Sequence, residues 1–137
     1  YKITKQIMWA TFDYAKYETR SIVKVMFSDE VNDASFDAFL KEWISLYNAK
    51  RDFSFVFDTT RVGYVPLKYS IRMSSFIGKL KKCPYQYLQK SVFIVSSNFV
   101  QYMLDFIFLI QPPVAPIYMT QDVDEVESLL STNNATD

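Results

Sequence analysis

Phe53-Ser54-Phe55-Val56-Phe57-Asp58-Thr59-Thr60 opens as a short run of aromatic and β-branched residues and closes on polar ones. Such a run reads as a buried strand that delivers Asp58, Thr59 and Thr60 to its C-terminal end. In open α/β sheets that end is where sites are commonly built, which makes these three residues candidates for a binding surface. A single carboxylate beside two threonines is also the ordinary composition of a capped turn, so capping is the plainer reading of Asp58.

Both flanks of this strand carry helical periodicity. Upstream, Phe36, Phe39, Leu40, Trp43, Ile44 and Tyr47 follow the i, i+3, i+4, i+7 spacing after polar residues at Asp29 to Asp33. That phase puts Phe39 and Trp43 toward the core and Lys41 and Glu42 toward solvent. Downstream, Pro66 suits the first turn of a second helix running to about Lys82, and Cys83-Pro84 marks its stop.

Further out, Ile7 to Tyr17 reads as one strand, and Ile22 to Phe27 as a second that forms a hairpin with it. Toward the C-terminus, Ser91 to Val95 is another short strand. Asn98 with Gln101 resembles a capping box opening a third helix, which Pro112-Pro113 closes. Ile117 to Thr120 is a last strand, and Asp122 with Glu125 opens a final helix using Val126, Leu129 and Leu130. The order β-β-α-β-α-β-α-β-α requires crossover connections and therefore a mixed, mostly parallel sheet with helices packed on it. One α/β domain over residues 1–130, with a polar tail over 131–137, is the predicted organisation.

Composition agrees with this. Twelve Phe and ten Tyr against two Gly in 137 residues favour dense regular structure over long loops. Fifteen basic and fifteen acidic residues cancel, so no global field draws the chain onto nucleic acid, and strand aromatics read as core rather than as base-stacking platforms. The lone Cys83 leaves no internal disulfide. That leads to a cytoplasmic expectation; the opening Tyr1-Lys2-Ile3-Thr4-Lys5 lacks a secretory pattern, but targeting is not readable from it. Phe99 to Ile110 is too short for a membrane span of roughly twenty residues and contains Gln101 and Asp105.

The absence of histidine removes His-based triads, a histidine base and His-ligated metals. Cys83 has no histidine to activate it, and Gly63 and Gly78 cannot form a phosphate-cradling loop. The expectation is a chain with no catalytic centre, no metal and no cofactor. Asn134-Ala135-Thr136 matches a glycosylation triplet that is frequent by chance.

Two surfaces remain. Lys68, Arg72, Lys79 and Lys82 are spaced by four, seven and three residues, which at 3.6 residues per turn places them on one narrow face of the second helix around Ser75. The opposing face, with Tyr69, Met73, Phe76, Ile77 and Leu80, suits the core. A solvated helix face is the plain reading of the lysines, and an acidic partner the functional one. The third helix has almost no polar face from Val100 to Ile110, so it is expected to pack deeply; its functional reading is a partner, dimer or lipid surface.

Phe55-Val56-Phe57-Asp58-Thr59-Thr60-Arg61-Val62-Gly63-Tyr64-Val65 resembles the strand and link of STAS domains, the fold of anti-sigma-factor antagonists and of sulfate-transporter tails. The resemblance covers about Ile7 to Leu130 and implies a non-enzymatic regulatory module that docks a protein partner through its second helix. Pro66-Leu67-Lys68-Tyr69 stands where that family carries an acidic, serine-containing turn, so its phosphoserine switch is missing; Ser75, inside the basic stripe, is the alternative hydroxyl. Tyr87 to Ser97 and Phe106 to Pro113 are similar to CRAL-TRIO domains, which implies binding of a lipid or other apolar ligand. A third alternative is a structural subunit of a larger assembly or a homo-oligomer.

Overall fold

A computed structural model describes residues 3–132. The glycosylation triplet and the polar tail beyond Thr132 lie outside the described residues, as do Tyr1 and Lys2.

The chain opens on β1 (Thr4–Ile7) and β2 (Ala10–Asp13), an antiparallel hairpin with Ile7 opposite Ala10. The single strand expected over Ile7 to Tyr17 is therefore broken twice. Met8 takes a left-handed φ of 53° to turn the chain, and the Asp13 carboxylate accepts from the Ala15 backbone N–H at 2.9 Å to end the second strand. Neither methionine nor tryptophan is a turn signature, which is why the hairpin reads as continuous strand. A short helix, α1 (Tyr17–Arg20), then leads into β3 (Ile22–Phe27), antiparallel to β2.

From β3 onward strands and helices alternate: α2 (Asp33–Asn48), β4 (Phe53–Asp58), α3 (Leu67–Leu80), β5 (Leu88–Ile94), α4 (Asn98–Ile110), β6 (Ile117–Thr120). A 3-10 turn (Val123–Glu125) and α5 (Val126–Leu130) follow. The sheet runs β1-β2-β3-β4-β5-β6, and β3 to β6 are parallel. The predicted mixed, mostly parallel α/β domain is what forms.

Because each parallel crossover advances the sheet by one strand in the same direction, and such crossovers share one hand, α2, α3 and α4 fall on one face. The clusters show this. Phe12, Val25, Phe57 and Phe93 pack with Phe39, Trp43, Phe76 and Leu104, whereas Val56, Val92 and Ile94 on the alternate face pack with Val126 of α5.

Helix starts are set by side chains. Asn32 and Ser35 cap α2 reciprocally, at 2.8 and 2.9 Å. Pro66 is the N-cap of α3 and not its first turn. Ser97 caps α4 by accepting from Val100 N–H at 3.1 Å, so the expected Asn98–Gln101 box is replaced by a cap one residue earlier.

The buried phase of α2 is Ser35, Phe36, Phe39, Glu42, Trp43, Leu46 and Tyr47. Phe39 and Trp43 face the core as predicted, but Glu42 is 8% exposed and Ile44 is 44% exposed, the reverse of the expectation. Glu42 goes inside because it has partners there: the Tyr14 hydroxyl donates to Oε2 and Lys5 Nζ stands 3.0 Å from Oε1. A buried carboxylate paired in this way avoids the penalty of an isolated charge. Leu46 fills the apolar position that Ile44 does not.

Candidate interaction surface on α3 and α4

Each predicted site residue can be placed. Asp58 Oδ1 accepts from Thr60 N–H at 3.0 Å and from the Thr60 hydroxyl at 2.6 Å, the turn-capping geometry. Asp58 is in register with Met26 and Ile94, and so lies on the sheet face opposite α3. Thr59 is buried, its hydroxyl donating to the Ile94 carbonyl at 2.7 Å, which corrects its reading as a partner contact: it ties β4 to β5. Asp58 therefore does not share the sheet face on which α3 carries the basic stripe, and Thr60, which bonds it, is exposed.

The stripe itself divides. Lys68 Nζ is 3.2 Å from Asp33 Oδ1, which also accepts from the Tyr69 hydroxyl at 2.8 Å. Arg72 bonds Asp37, lies 3.8 Å from Asp33, and sets its guanidinium 4.8 Å from the centre of the Phe36 ring. These contacts clamp α3 to the start of α2. The Tyr69 hydrogen bond, and then Lys68, hold the Asp33 carboxyl below its ordinary range, while Asp33 holds the Lys68 ammonium above its own. Lys79 and Lys82 are exposed, and among the described residues no carboxylate pairs with either. Ser75 is exposed between the paired half and the free half.

The same face carries an apolar surface that the periodicity of α3 did not reveal. Leu67 and Ile71 on α3 are more than half exposed, and Tyr64, in the preceding loop, is 75% exposed. On α4 only Val100, Leu104 and Ile107 are buried. Tyr102 is 69% and Leu109 83% exposed, with Phe99 and Ile110 also open to solvent. The expectation that α4 packs deeply on several sides is thus corrected: it lies on the outside of the helix layer, with one side buried. The missing polar face was the available signal.

α3 and α4 lie side by side. The Ser74 hydroxyl donates to the Ile107 carbonyl at 3.3 Å, and a Cβ on Gly78 would stand 3.2 Å from Gln111 Oε1. At the opposite end the Tyr64 and Phe99 rings are 5.8 Å apart. Lys79 and Lys82 consequently border the end of the pair that carries Leu109 and Ile110.

Two recesses accompany this surface. Beneath the helices, between them and the sheet, is an apolar cavity of about 100 Å³ walled by aromatic residues. At the C-terminal ends of β5 and β6 a polar recess of about 240 Å³ is lined by Ser97, Asn98, Gln101, Thr120 and Gln121, with no charged group. Among the described residues no group of three His, Cys, Asp or Glu side chains is placed to hold a metal ion. Among them, too, no helix is long and apolar enough to cross a membrane. The fold and surface define an open-sheet α/β domain with exposed apolar side chains on its outer helix face. No family model, no curated protein and no solved structure compared with the chain matches it.

Proposed function

We propose that this domain is a non-enzymatic interaction module, as the STAS resemblance implies, and that it docks a protein partner against the outer faces of α3 and α4. The observation that carries this is the exposure to solvent of Leu67, Ile71, Phe99, Tyr102, Leu109 and Ile110 on one adjoining helix pair, with Tyr64 exposed in the loop before it. Large apolar side chains exposed in this number are costly to leave in water and characteristically mark a contact site. The free Lys79 and Lys82 at its border select a partner whose apolar ridge is flanked by acidic residues, chiefly by setting orientation and association rate. Ser75 lies beside these lysines; a phosphate there would add roughly −1.5 to −2 charge and oppose the same partner. Carriage of a whole lipid has weaker support. The cavity holds about 100 Å³, against roughly 300–1,000 Å³ for pockets that enclose drug-sized ligands.

The test uses a synthetic helical peptide with leucines along one face flanked by glutamates, and a twin flanked by lysines. The acidic peptide should shift backbone resonances of α3 and α4 and bind more weakly as ionic strength rises. Lys79→Glu and Lys82→Glu should each weaken it by about twofold to fivefold, as for exposed ion pairs. Leu109→Ser should weaken both peptides, and Ser75→Asp only the acidic one. Equal binding of the two peptides, insensitivity to charge reversal, or shifts confined to other elements would each overturn the proposal.

A further inference from the structure

Among the described residues the sheet ends on β1 and β6, and these two edges differ in kind. β1 carries Lys5, a charge of the sort that blunts an open edge, whereas no charged residue stands between Ile110 and Asp122, the stretch that holds β6. Backbone groups alternate in direction along a strand. Pro116 and Thr120 turn their carbonyls inward to the N–H groups of Ser91 and Val95, at 3.0 and 2.9 Å, so Ile117 and Met119 turn their N–H and C=O groups outward. Among the described residues nothing bonds those groups. The surroundings define what would complete them. On the helix face the apolar cavity reaches this edge: Ile117, Val114, Ala115 and Met103 line it and are only partly buried, whereas Phe57 and Phe93 further in are buried. At the C-terminal end of β6, Gln101 Nε2 stands 3.0 Å from Asp105 Oδ1 and 3.1 Å from the Met119 sulfur, which brings a carboxylate to the edge. Asp122, Asp124 and Glu125 follow the strand directly. All four acids are exposed, and among the described residues no lysine or arginine pairs with any of them.

We infer that β6 is a docking edge for an extended segment of a protein partner, which adds a strand beside it, turns an aliphatic side chain toward Ile117 and sets a lysine or arginine against Asp105 and Asp122. Only an extended backbone presents donors and acceptors at the two-residue repeat that Ile117 and Met119 require. Alternate side chains of such a segment fall on the helix face, where the cavity meets the edge. A cavity of about 150 Å³ admits benzene, so one of about 100 Å³ suits a branched aliphatic side chain. Pro116 stands at the start of β6 and confines the pairing to its few residues, so the main chain holds the segment loosely and the side-chain contacts decide what binds. The charge required is opposite to that selected by Lys79 and Lys82. None of the exposed apolar residues of α3 and α4 takes part, so this edge stands or falls separately from the helix face.

The test adds to the full chain a short capped peptide whose core alternates threonine with leucine and whose ends are lysines. Amide exchange at Ile117 and Met119 should slow by about tenfold or more when the peptide is bound. A twin methylated on every core nitrogen keeps the side chains and should not bind. Replacing the leucines by alanine should weaken binding by about tenfold, and replacing the lysines by glutamate by about twofold to fivefold at low ionic strength. Met119→Pro removes one outward N–H and no bond of the sheet, and should abolish binding. The peptide twins keep the test decisive on the native chain if that variant does not fold. Binding of the methylated twin, equal binding of the lysine and glutamate peptides, or unchanged exchange at millimolar peptide would overturn the inference. So would protection of both amides in the peptide-free chain together with a doubled mass, which would make a second copy the occupant of the edge.

Discussion

Glu42 shows how much a single side chain decides in this molecule. Its carboxylate joins a tyrosine of the N-terminal segment and a lysine of β1 to the inner side of α2, so three parts of the chain depend on one buried acceptor. Burial, and then the bond to Glu42, hold the Tyr14 hydroxyl protonated far above the ordinary tyrosine range. Glu42→Leu fills the space but leaves that hydroxyl without an acceptor. It should cost about 1–3 kcal/mol, the penalty of an unsatisfied buried donor. Urea unfolding measures this, and a midpoint equal to that of the parent chain would show that the hydroxyl finds another acceptor. The role of Glu42 was not legible in the sequence, because its partner Tyr14 stands 28 positions away and the stripe from Phe36 to Tyr47 admits two phases. The fates of Thr59 and Arg72 were hidden for the same reason: each is fixed by a partner on another element, Ile94 and Asp37.

Among the elements, α5 has little of its own to hold it. It has five residues, of which only Val126 is buried. Isolated helices of that length are unstable in water. Its anchor is Lys90 of β5, itself buried, whose ammonium donates to the carbonyls of Leu129, Leu130 and Thr132 at 3.3, 3.0 and 2.6 Å. A cation on the unsatisfied carbonyls at a helix C-terminus satisfies both hydrogen bonding and the helix dipole. At the opposite side Arg20 pairs with Glu127 at 2.6 Å. Lys90→Met keeps the apolar stem and removes the donor. It should cost about 1.5–3 kcal/mol, as for hydrogen bonds to charged groups. Amide exchange should then quicken in α5 while α2 keeps its protection; undiminished protection in α5 would show that apolar contact alone seats it. The existence and order of the helices were legible because periodicity and capping are local signals. What covers each helix is not local, and α4 was misjudged for that reason: its sequence demands cover, but the fold leaves Leu109 and Tyr102 outside.

At the scale of the whole molecule, stability should form a plateau bounded by two kinds of titration. On the acid side, the hydrogen bond from Tyr69 holds Asp33 below the ordinary carboxylate range, and that from Arg20 does the same for Glu127. The unfolded chain takes up its protons near pH 4, so these contributions are complete above about that pH. They are lost as the pH falls through the depressed folded values. On the alkaline side, burial pushes the Tyr47 hydroxyl up to about 12 and raises that of Tyr14 still further. An unfolded tyrosine ionises near pH 10, so stability should fall from about pH 10 upward. Thermal melts across pH should show both edges, and Tyr47→Phe should flatten the alkaline one; an unchanged alkaline slope would remove Tyr47 from the account.

The sequential strand order has a consequence for how such a chain is made. From β2 to β6 every strand pairs with the one synthesised just before it, and none is inserted between two earlier ones. Loop closure is therefore short at every step, which favours rapid folding over long-range search. A nascent chain leaving the ribosome at roughly 5–20 residues per second could complete each pairing without waiting for a later segment. By the same geometry, an ancestral gain or loss of one strand–helix unit at the β6 edge would leave every earlier ladder of hydrogen bonds in place.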